Sequence, residues 1–422
     1  MTHLRVNQNV ALVLLSLLIQ VPLGIFLGHA YDEKIFMATG YLVASGLNPY
    51  QPHTIVNIFP STLFAGVIPG IGYPPPWPLL LGFIYDVSYN LVPNIFLYNF
   101  AIKVPVILGN ICLAYLVKNL VLKSNSDKKK AQFAWLFILF NPFVLLTTAA
   151  WGQFDTVVAV FCIASIYLLS KGRTEESAFL LALAVALQPI ALPLVGLPFL
   201  FPSNNSKRKI LIYLLVFGLS FCVFYFIPFF LEKWPLPWGS NELGAQFQSA
   251  GGLTPFNLEE IFLDSTVLPK PLQLLGYLWV PALIVGYYSV YRNRPNSPNE
   301  LFSKAVGLTL IFFLTRSWLS EPNIDLILPF MLLAATTTKE LNLRSFHFAW
   351  IIPLIFLFLN TSFPQLFFFV YPSVLTVIAQ VDQQIRSVRL WARFVVVIPW
   401  QILSWNLVVK KLRRKSLQMI SS

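Results

Sequence analysis

The chain has 422 residues, of which 57% are hydrophobic and only 11% charged, and its formal net charge is +12. Soluble domains usually carry about 25% charged residues, so this composition excludes a water-soluble globular protein. The apolar runs are continuous rather than alternating, and runs such as 10–27 and 211–231 can cross a hydrocarbon layer of about 30 Å, which excludes a strand barrel. We therefore predict an all-α fold, a polytopic bundle of transmembrane helices.

The positive charge lies in short links between the apolar runs, at residues 118–130, 171–173, 207–209, 292–304, 339–344 and 410–415. Short basic loops stay in the cytoplasm, so both termini are predicted to lie there, and no nucleic-acid partner is needed to explain the charge. Cys112, Cys162 and Cys222 lie inside apolar runs and form neither a disulfide pattern nor a zinc motif. We expect no metal site and no cofactor.

With these links inside, the chain is expected to cross the membrane about twelve times. The predicted crossings are 10–27, 95–117, 131–150, 154–169, a hairpin over 177–201 broken at Gln188 and Pro189 and counted as two, 210–231, 272–291, 301–319, 324–337, 346–359 and 390–409. Residues 77–91 and 365–389 are predicted to lie along the membrane surface. A single domain over 1–422 is expected, with outer polar segments at 31–76 and 232–271 and no separate soluble domain.

Polar residues at a membrane boundary are costly, and here they collect on the outer face. Asp32 follows the first crossing, at the predicted start of a short interfacial helix, with Glu33 beside it. A carboxylate there can act as a general base, because partial desolvation raises its pKa and a bound hydroxyl comes within reach. Asp also favours helix starts, so the residue pattern alone leaves a helix N-cap as the alternative.

Two cations lie near the outer boundary. Lys103 and Arg316 can hold a phosphate, Arg as a bidentate fork and Lys as a point charge. The alternative for Lys103 is that its amine snorkels to the lipid headgroups. Glu321 is a possible structural partner for Arg316.

The string WGQFD at residues 151–155 is predicted to form an outer turn. Gln153 and Asp155 can hydrogen-bond sugar hydroxyls beside the ring of Trp151, although a plain capped turn is the alternative. Gln188 lies at the predicted helix break, where proline frees a backbone carbonyl that only a buried or wet site tolerates. No glycine-rich phosphate loop or nucleophile elbow is present.

Together these strings resemble the GT-C superfamily of membrane glycosyltransferases, which use polyprenyl phosphate sugars. Within it they are similar to the GPI-anchor first mannosyltransferase and its prokaryotic relatives. The resemblance rests on residues 31–53, with GLNPY fourteen residues after Asp32, and on 73–82, 94–117, 140–160, 182–195 and 320–330. It marks 1–230 as the better-matched catalytic module and 231–422 as a more variable half.

The resemblance implies an inverting transfer of a hexose, with mannose expected, from a polyprenyl (dolichyl) phosphate sugar. The acceptor is expected to be a glycan, lipid or protein on the extracytoplasmic face. Because no sorting signal is recognised and the chain is short, we expect the membrane to be the plasma membrane of a microbe. Asp32 takes the catalytic position, and the substrate-binding positions are Glu33, Lys103, Gln153, Asp155, Gln188, Arg316 and Glu321. The chain departs from the family where Ala30 replaces the first acid of an Asp-x-Asp pair and where Gln188 replaces a basic residue before proline.

A transporter or lipid flippase without chemistry is the rival hypothesis. Transporters place polar sites near the membrane midplane at broken helices, and here only the Gln188 break fits that description. A lipid-linked donor instead presents its phosphate and sugar at one membrane face, where the polar residues of this chain collect.

Overall fold

Long helices dominate the structure, a computed structural model that describes residues 8–55, 58–64, 66–201, 206–235, 249–337 and 343–412. Strands within these ranges are limited to two pairs of two residues each, one antiparallel and one parallel: β1 (His53–Thr54) with β2 (Val67–Ile68), and β3 (Gly251–Gly252) with β4 (Trp318–Leu319). The all-α helical bundle predicted from composition is therefore confirmed.

The helices of the first half are α1 (Gln8–Phe26), α2 (Asp32–Ala44), α3 (Pro76–Val87), α4 (Ile95–Asn125), α5 (Lys128–Phe140), α6 (Pro142–Leu145), α7 (Asp155–Ser170), α8 (Thr174–Leu187) and α9 (Lys207–Leu231). Those of the second half are α10 (Leu258–Leu263), α11 (Trp279–Arg292), α12 (Pro298–Thr315), α13 (Ile324–Thr337), α14 (Leu343–Thr361) and α15 (Val374–Leu412). One core of buried apolar side chains, from Ala30 to Leu412, joins both halves.

Seven helical segments in the described ranges are long and apolar enough to cross a membrane, which makes this an integral membrane protein. Each coincides with a crossing expected from the sequence. The other predicted crossings correspond to the shorter helices α7, α8, α12 and α13 and to the 3-10 turns after α8, so the total of twelve stays a prediction.

The boundary predicted between residues 389 and 390 is wrong. Helix α15 runs without a break for 39 residues. At about 1.5 Å per residue it is about 58 Å long, nearly twice the hydrocarbon thickness of about 30 Å. Residues 374–389 of the predicted surface segment are therefore the first part of this last helix, and the rest of the segment lies in the turns before it, which include the 3-10 helix Phe363–Phe367.

The helix break predicted at Gln188 forms, and a second break forms at Asn141, inside the predicted crossing 131–150. Asn141 ends α5, and its side chain accepts the backbone N–H groups of Phe143 and Val144, which starts the next helix after Pro142. Helix α8 stops at Leu187, and Gln188 is extended, with 3-10 turns at Pro189–Leu194 and Leu197–Phe199 after it. These breaks leave Asn141 and Gln188 outside regular helix.

Buried polar side chains fix the end of α1 against α4. Asn99 of α4 donates its side-chain N–H groups to the carbonyls of Gly24 and Leu27, at 2.9 and 2.8 Å. Lower on the same helix, Asn110 donates to Gln20 and to Thr148. Buried polar groups need such partners, so these bonds set the position from which the chain enters α2 at Asp32.

Candidate active site

The Asp32 carboxylate is held by side chains from a distant turn. Its Oδ2 accepts a hydrogen bond from Trp151 Nε1 at 2.6 Å and another from Gln153 Nε2 at 2.8 Å. Asp32 is the first residue of α2, and the N-cap residue is Tyr31, which makes no side-chain capping bond. The capping alternative is therefore wrong, because the carboxylate binds the WGQFD turn rather than helix N–H groups, and the role of Asp32 as a general base stays a prediction.

His29 completes the surroundings of this carboxylate. Its Nδ1 lies 3.3 Å from Oδ2 of Asp32 and 3.3 Å from the Asp32 backbone nitrogen. Its ring stacks on Trp151 with 4.1 Å between ring centroids. The sequence offered no signal for this residue beyond its place three positions before Asp32.

The expected direction of the Asp32 pKa shift is wrong. Burial does raise the pKa, but the charge and hydrogen bond of His29 and the hydrogen bonds from Trp151 and Gln153 lower it more, so the net pKa lies below its usual value. Hydrogen bonds to the charged form of a carboxyl favour that form. Asp32 is therefore ionised at neutral pH and ready to accept a proton.

The second carboxylate oxygen remains available for a ligand. Both hydrogen bonds from Trp151 and Gln153 go to Oδ2, and Oδ1 accepts none from the described side chains. The Asp32 side chain is 21% exposed. A hydroxyl brought to this point can donate to Oδ1 while Oδ2 stays fixed, which is the geometry that a general base requires.

Glu33 points the other way, into a buried ion pair. Its Oε1 lies 3.4 Å from Nζ of Lys103, and both side chains are 0% exposed. Burial raises the pKa of Glu33 to about 7, although the charge of Lys103 opposes this shift. The ammonium of Lys103 also donates to the carbonyls of Leu27 and Ala150. Lys103 therefore contacts three separate segments: the end of α1, the start of α2 and the residue before Trp151.

Gly152 lies between the two residues that hold Asp32, and its backbone conformation suits only glycine. Its φ is +98°, and a Cβ there would lie 2.1 Å from Oε1 of Glu33 and 3.1 Å from Cε of Lys103. The WGQFD turn thus packs its backbone directly on the buried ion pair. The geometry of the Asp32 site depends on that close approach.

The other polar residues of the predicted site contact protein partners. Gln153 accepts from the Tyr73 hydroxyl at 3.0 Å, and Asp155 accepts from the Asn323 amide at 2.9 Å. Asn323 comes from the SEPN string, so the structure brings two separate motifs together. Oδ2 of Asp155 has no hydrogen-bond partner in the described ranges.

The remaining predicted residues lie around this group. Gln188 is buried, and its Oε1 lacks a partner among the described residues. Glu321 accepts from Asn360 at 2.7 Å rather than pairing with Arg316, and burial raises its pKa. Arg316 is only 7% exposed and lies 5.1 Å from the ring centre of Phe312.

Arg316 is a buried cation that has no acidic partner among the described residues. Within the described ranges, no carboxylate oxygen lies within 4 Å of its guanidinium, whereas Lys103 is already paired. A buried cation is stable only with a compensating anion or a polar ligand. The shared phosphate site of Lys103 and Arg316 stays a prediction. Of the two cations, only Lys103 has a carboxylate partner among the described residues, so Arg316 is more available to bind an anion. No group of three potential metal ligands occurs in the described part of the chain.

Comparison with known families gives the class of this chain. The model for glycosyltransferase family 87 matches residues 73–322, which is more than half of the chain. The chain belongs to glycosyltransferase family 87. This confirms its recognition as a GT-C glycosyltransferase and makes it an enzyme. The family 87 match includes every predicted site residue from Lys103 to Glu321 but begins after Asp32 and Glu33.

Two other comparisons accompany the family match. The family 87 chain is similar to the crystal structure of ArnT from Cupriavidus metallidurans bound to undecaprenyl phosphate, with a TM-score of 0.47 and 14% sequence identity. The match covers 96% of this chain and 76% of that one. A search of curated proteins finds no significant match.

Proposed function

We propose that this family 87 glycosyltransferase transfers a hexose, with mannose the expected sugar, from a polyprenyl phosphate to an acceptor on the extracytoplasmic face. The observation that carries the proposal is the Asp32 carboxylate, with one oxygen held by Trp151 and Gln153 and the other free. It lies where α1 ends, the place at which a lipid-linked donor presents its sugar. The plasma membrane of a microbe is the proposed location.

The proposed chemistry is a single displacement with inversion. Oδ1 of Asp32 accepts the proton of the acceptor hydroxyl, and the acceptor oxygen forms a bond to the anomeric carbon. The bond between that carbon and the phosphate oxygen breaks, and the polyprenyl phosphate leaves with the electron pair. Because the pKa of Asp32 is lowered, the carboxylate is in its proton-accepting form throughout the neutral range.

We assign the donor phosphate to Arg316. The guanidinium is buried and has no carboxylate within 4 Å in the described ranges. A phosphate supplies the anion that a desolvated cation lacks, and the planar fork binds two of its oxygens at once. Lys103 contributes positive potential from behind the WGQFD turn while it remains paired with Glu33.

Sugar recognition is proposed to involve the polar residues that surround Asp32. Gln153, Asp155, Gln188 and Glu321 are buried near the end of the bundle that carries the catalytic carboxylate. The oxygens of Asp155 and Gln188 without partners are the strongest candidates, because buried acceptors without donors gain most from a ligand hydroxyl. Glu33 is proposed to act on the substrate only through the position of Asp32.

A transfer assay tests this function against the transporter and flippase alternative. The purified enzyme is given polyprenyl phosphate carrying labelled mannose, glucose or galactose, together with glycan, lipid and protein acceptors. Label that moves into an acceptor with inverted anomeric configuration supports the proposal. Label that only changes leaflet in vesicles, with the donor chemically intact, contradicts it.

A further inference from the structure

A polar cavity lies far from Asp32, between helices α4, α7, α12 and α13. Its volume is about 230 Å³, and it is bounded by the last turns of α4, α7 and α13 and by the first turn of α12. All of these ends lie in or next to the links that are predicted to be cytoplasmic. The cavity combines apolar walls, formed by Leu120, Phe302 and Leu333, with a polar mouth.

Two lysines and one tyrosine define that mouth. Lys123 donates to the hydroxyl of Tyr167 at 2.9 Å and lies 5.0 Å from the centre of the same ring. Lys171 lies 5.7 Å from that ring centre. The two ammonium groups are therefore within about 11 Å of each other, and both repel any further cation.

No acid compensates these charges in the cavity itself. The lining residues include Ser124, Ser170, Asn299 and Thr337, but no Asp or Glu. The hydroxyls of Ser124, Ser170 and Thr337 already donate to acceptors within the protein, so the two ammonium groups carry the charge of the site. Two cations and no carboxylate form a site whose chemistry suits a phosphate group.

The distance from the active site shows that this is a separate site. Lys123 lies twenty residues after Lys103 on the continuous helix α4. At about 1.5 Å per residue the separation is about 30 Å, which equals the thickness of the hydrocarbon layer. The cavity is therefore at the opposite membrane face, level with the headgroups of the other leaflet.

We propose that this cavity binds the phosphate headgroup of an anionic phospholipid from the cytoplasmic leaflet. The two lysines bind the phosphate oxygens, and the apolar wall contacts the first carbons of the lipid. Basic pockets between membrane helices on the cytoplasmic side bind such headgroups. The apolar wall favours a lipid over a free phosphate ion, which would gain nothing from Leu120, Phe302 and Leu333.

The test compares two double variants that remove the same charge. Lys123→Gln with Lys171→Gln empties the mouth of the cavity, whereas Lys128→Gln with Lys129→Gln changes two exposed lysines nearby that do not line it. Delipidated protein is titrated with phosphatidylglycerol and phosphatidylcholine and analysed by native mass spectrometry. Since both pairs of lysines are exposed, melting temperatures in detergent should stay equal.

We expect lipid affinity to fall in only one of the two double variants. Wild-type protein and the Lys128, Lys129 control bind phosphatidylglycerol more tightly than phosphatidylcholine, and the Lys123, Lys171 variant loses affinity by about tenfold or more, since charge-assisted hydrogen bonds are lost. Equal losses in both double variants would show only general surface attraction and overturn the site. A site that binds inorganic phosphate as tightly as phosphatidylglycerol would overturn the lipid assignment and leave a soluble anion as the ligand.

Discussion

Replacement of Gly152 by Ala tests how closely the Asp32 site depends on the buried ion pair behind it. The added Cβ would lie 2.1 Å from Oε1 of Glu33, whereas real Cβ contacts essentially never fall below 3.0 Å. The carboxylate must therefore retreat by about 1 Å, because the turn is fixed on both sides by Trp151 and Gln153. The distance from Lys103 is already 3.4 Å, so this movement breaks the pair.

Two energies contribute to the expected cost. A non-glycine residue in the left-handed region costs roughly 1–2 kcal/mol. Disruption of a buried ion pair costs about 3–5 kcal/mol, because one charge is left uncompensated. A shift of about 1 Å in the groups that hold Asp32 also lowers catalysis by roughly a hundredfold.

The matched control is Gly172→Ala. Gly172 also has a positive φ, at +75°, but a Cβ there meets nothing within 4 Å. Both variants carry backbone strain, and only Gly152→Ala carries the overlap with Glu33. Thermal unfolding in detergent and the transfer rate are measured for both. If Gly152→Ala unfolds and reacts like Gly172→Ala, the proposed support of the Asp32 site by the Glu33–Lys103 pair is refuted.

Three further outcomes are expected. Arg316→Lys raises the donor KM about tenfold or more, because a bidentate fork becomes a point charge; an unchanged KM places the phosphate elsewhere. Trp151→Phe removes a hydrogen bond that lowers the pKa of Asp32, so this pKa rises and the acid limb of the pH profile of kcat/KM moves to higher pH. An acid limb that does not move contradicts the assignment of Asp32 as the base. In intact cells, a cysteine-free protein carrying Ser249→Cys is labelled from outside and one carrying Ser126→Cys is not; the reverse pattern overturns the topology.

Helix positions could be predicted well because the signals are local. Continuous apolar runs predict the long helices, and Gln188 followed by Pro189 predicts the break after α8. The continuity of α15 was missed because its first half, up to Arg389, carries charged residues that pattern reading assigns to a surface segment. A helix that extends beyond the membrane has no separate sequence signal at the point where it leaves the lipid.

The hydrogen-bond and ion-pair partners of the site residues could not be predicted from the sequence, since they lie far apart in the chain. Asp32 meets Trp151 and Gln153, which are 119 and 121 positions away, and these donors reverse the pKa shift expected from desolvation alone. Lys103 was predicted to bind phosphate because a lone lysine at a membrane boundary has no visible partner in the sequence. Only the fold shows that Glu33 lies against it.

The most direct test of the account is the rate of sugar transfer by Asp32→Asn. Asn keeps the size of the side chain but is a poor base, and general-base assistance contributes about 10²–10⁴-fold. We expect kcat/KM to fall by at least about a hundredfold while the protein stays folded and still binds the polyprenyl phosphate donor. An Asp32→Asn enzyme that transfers sugar at the wild-type rate would contradict the central claim.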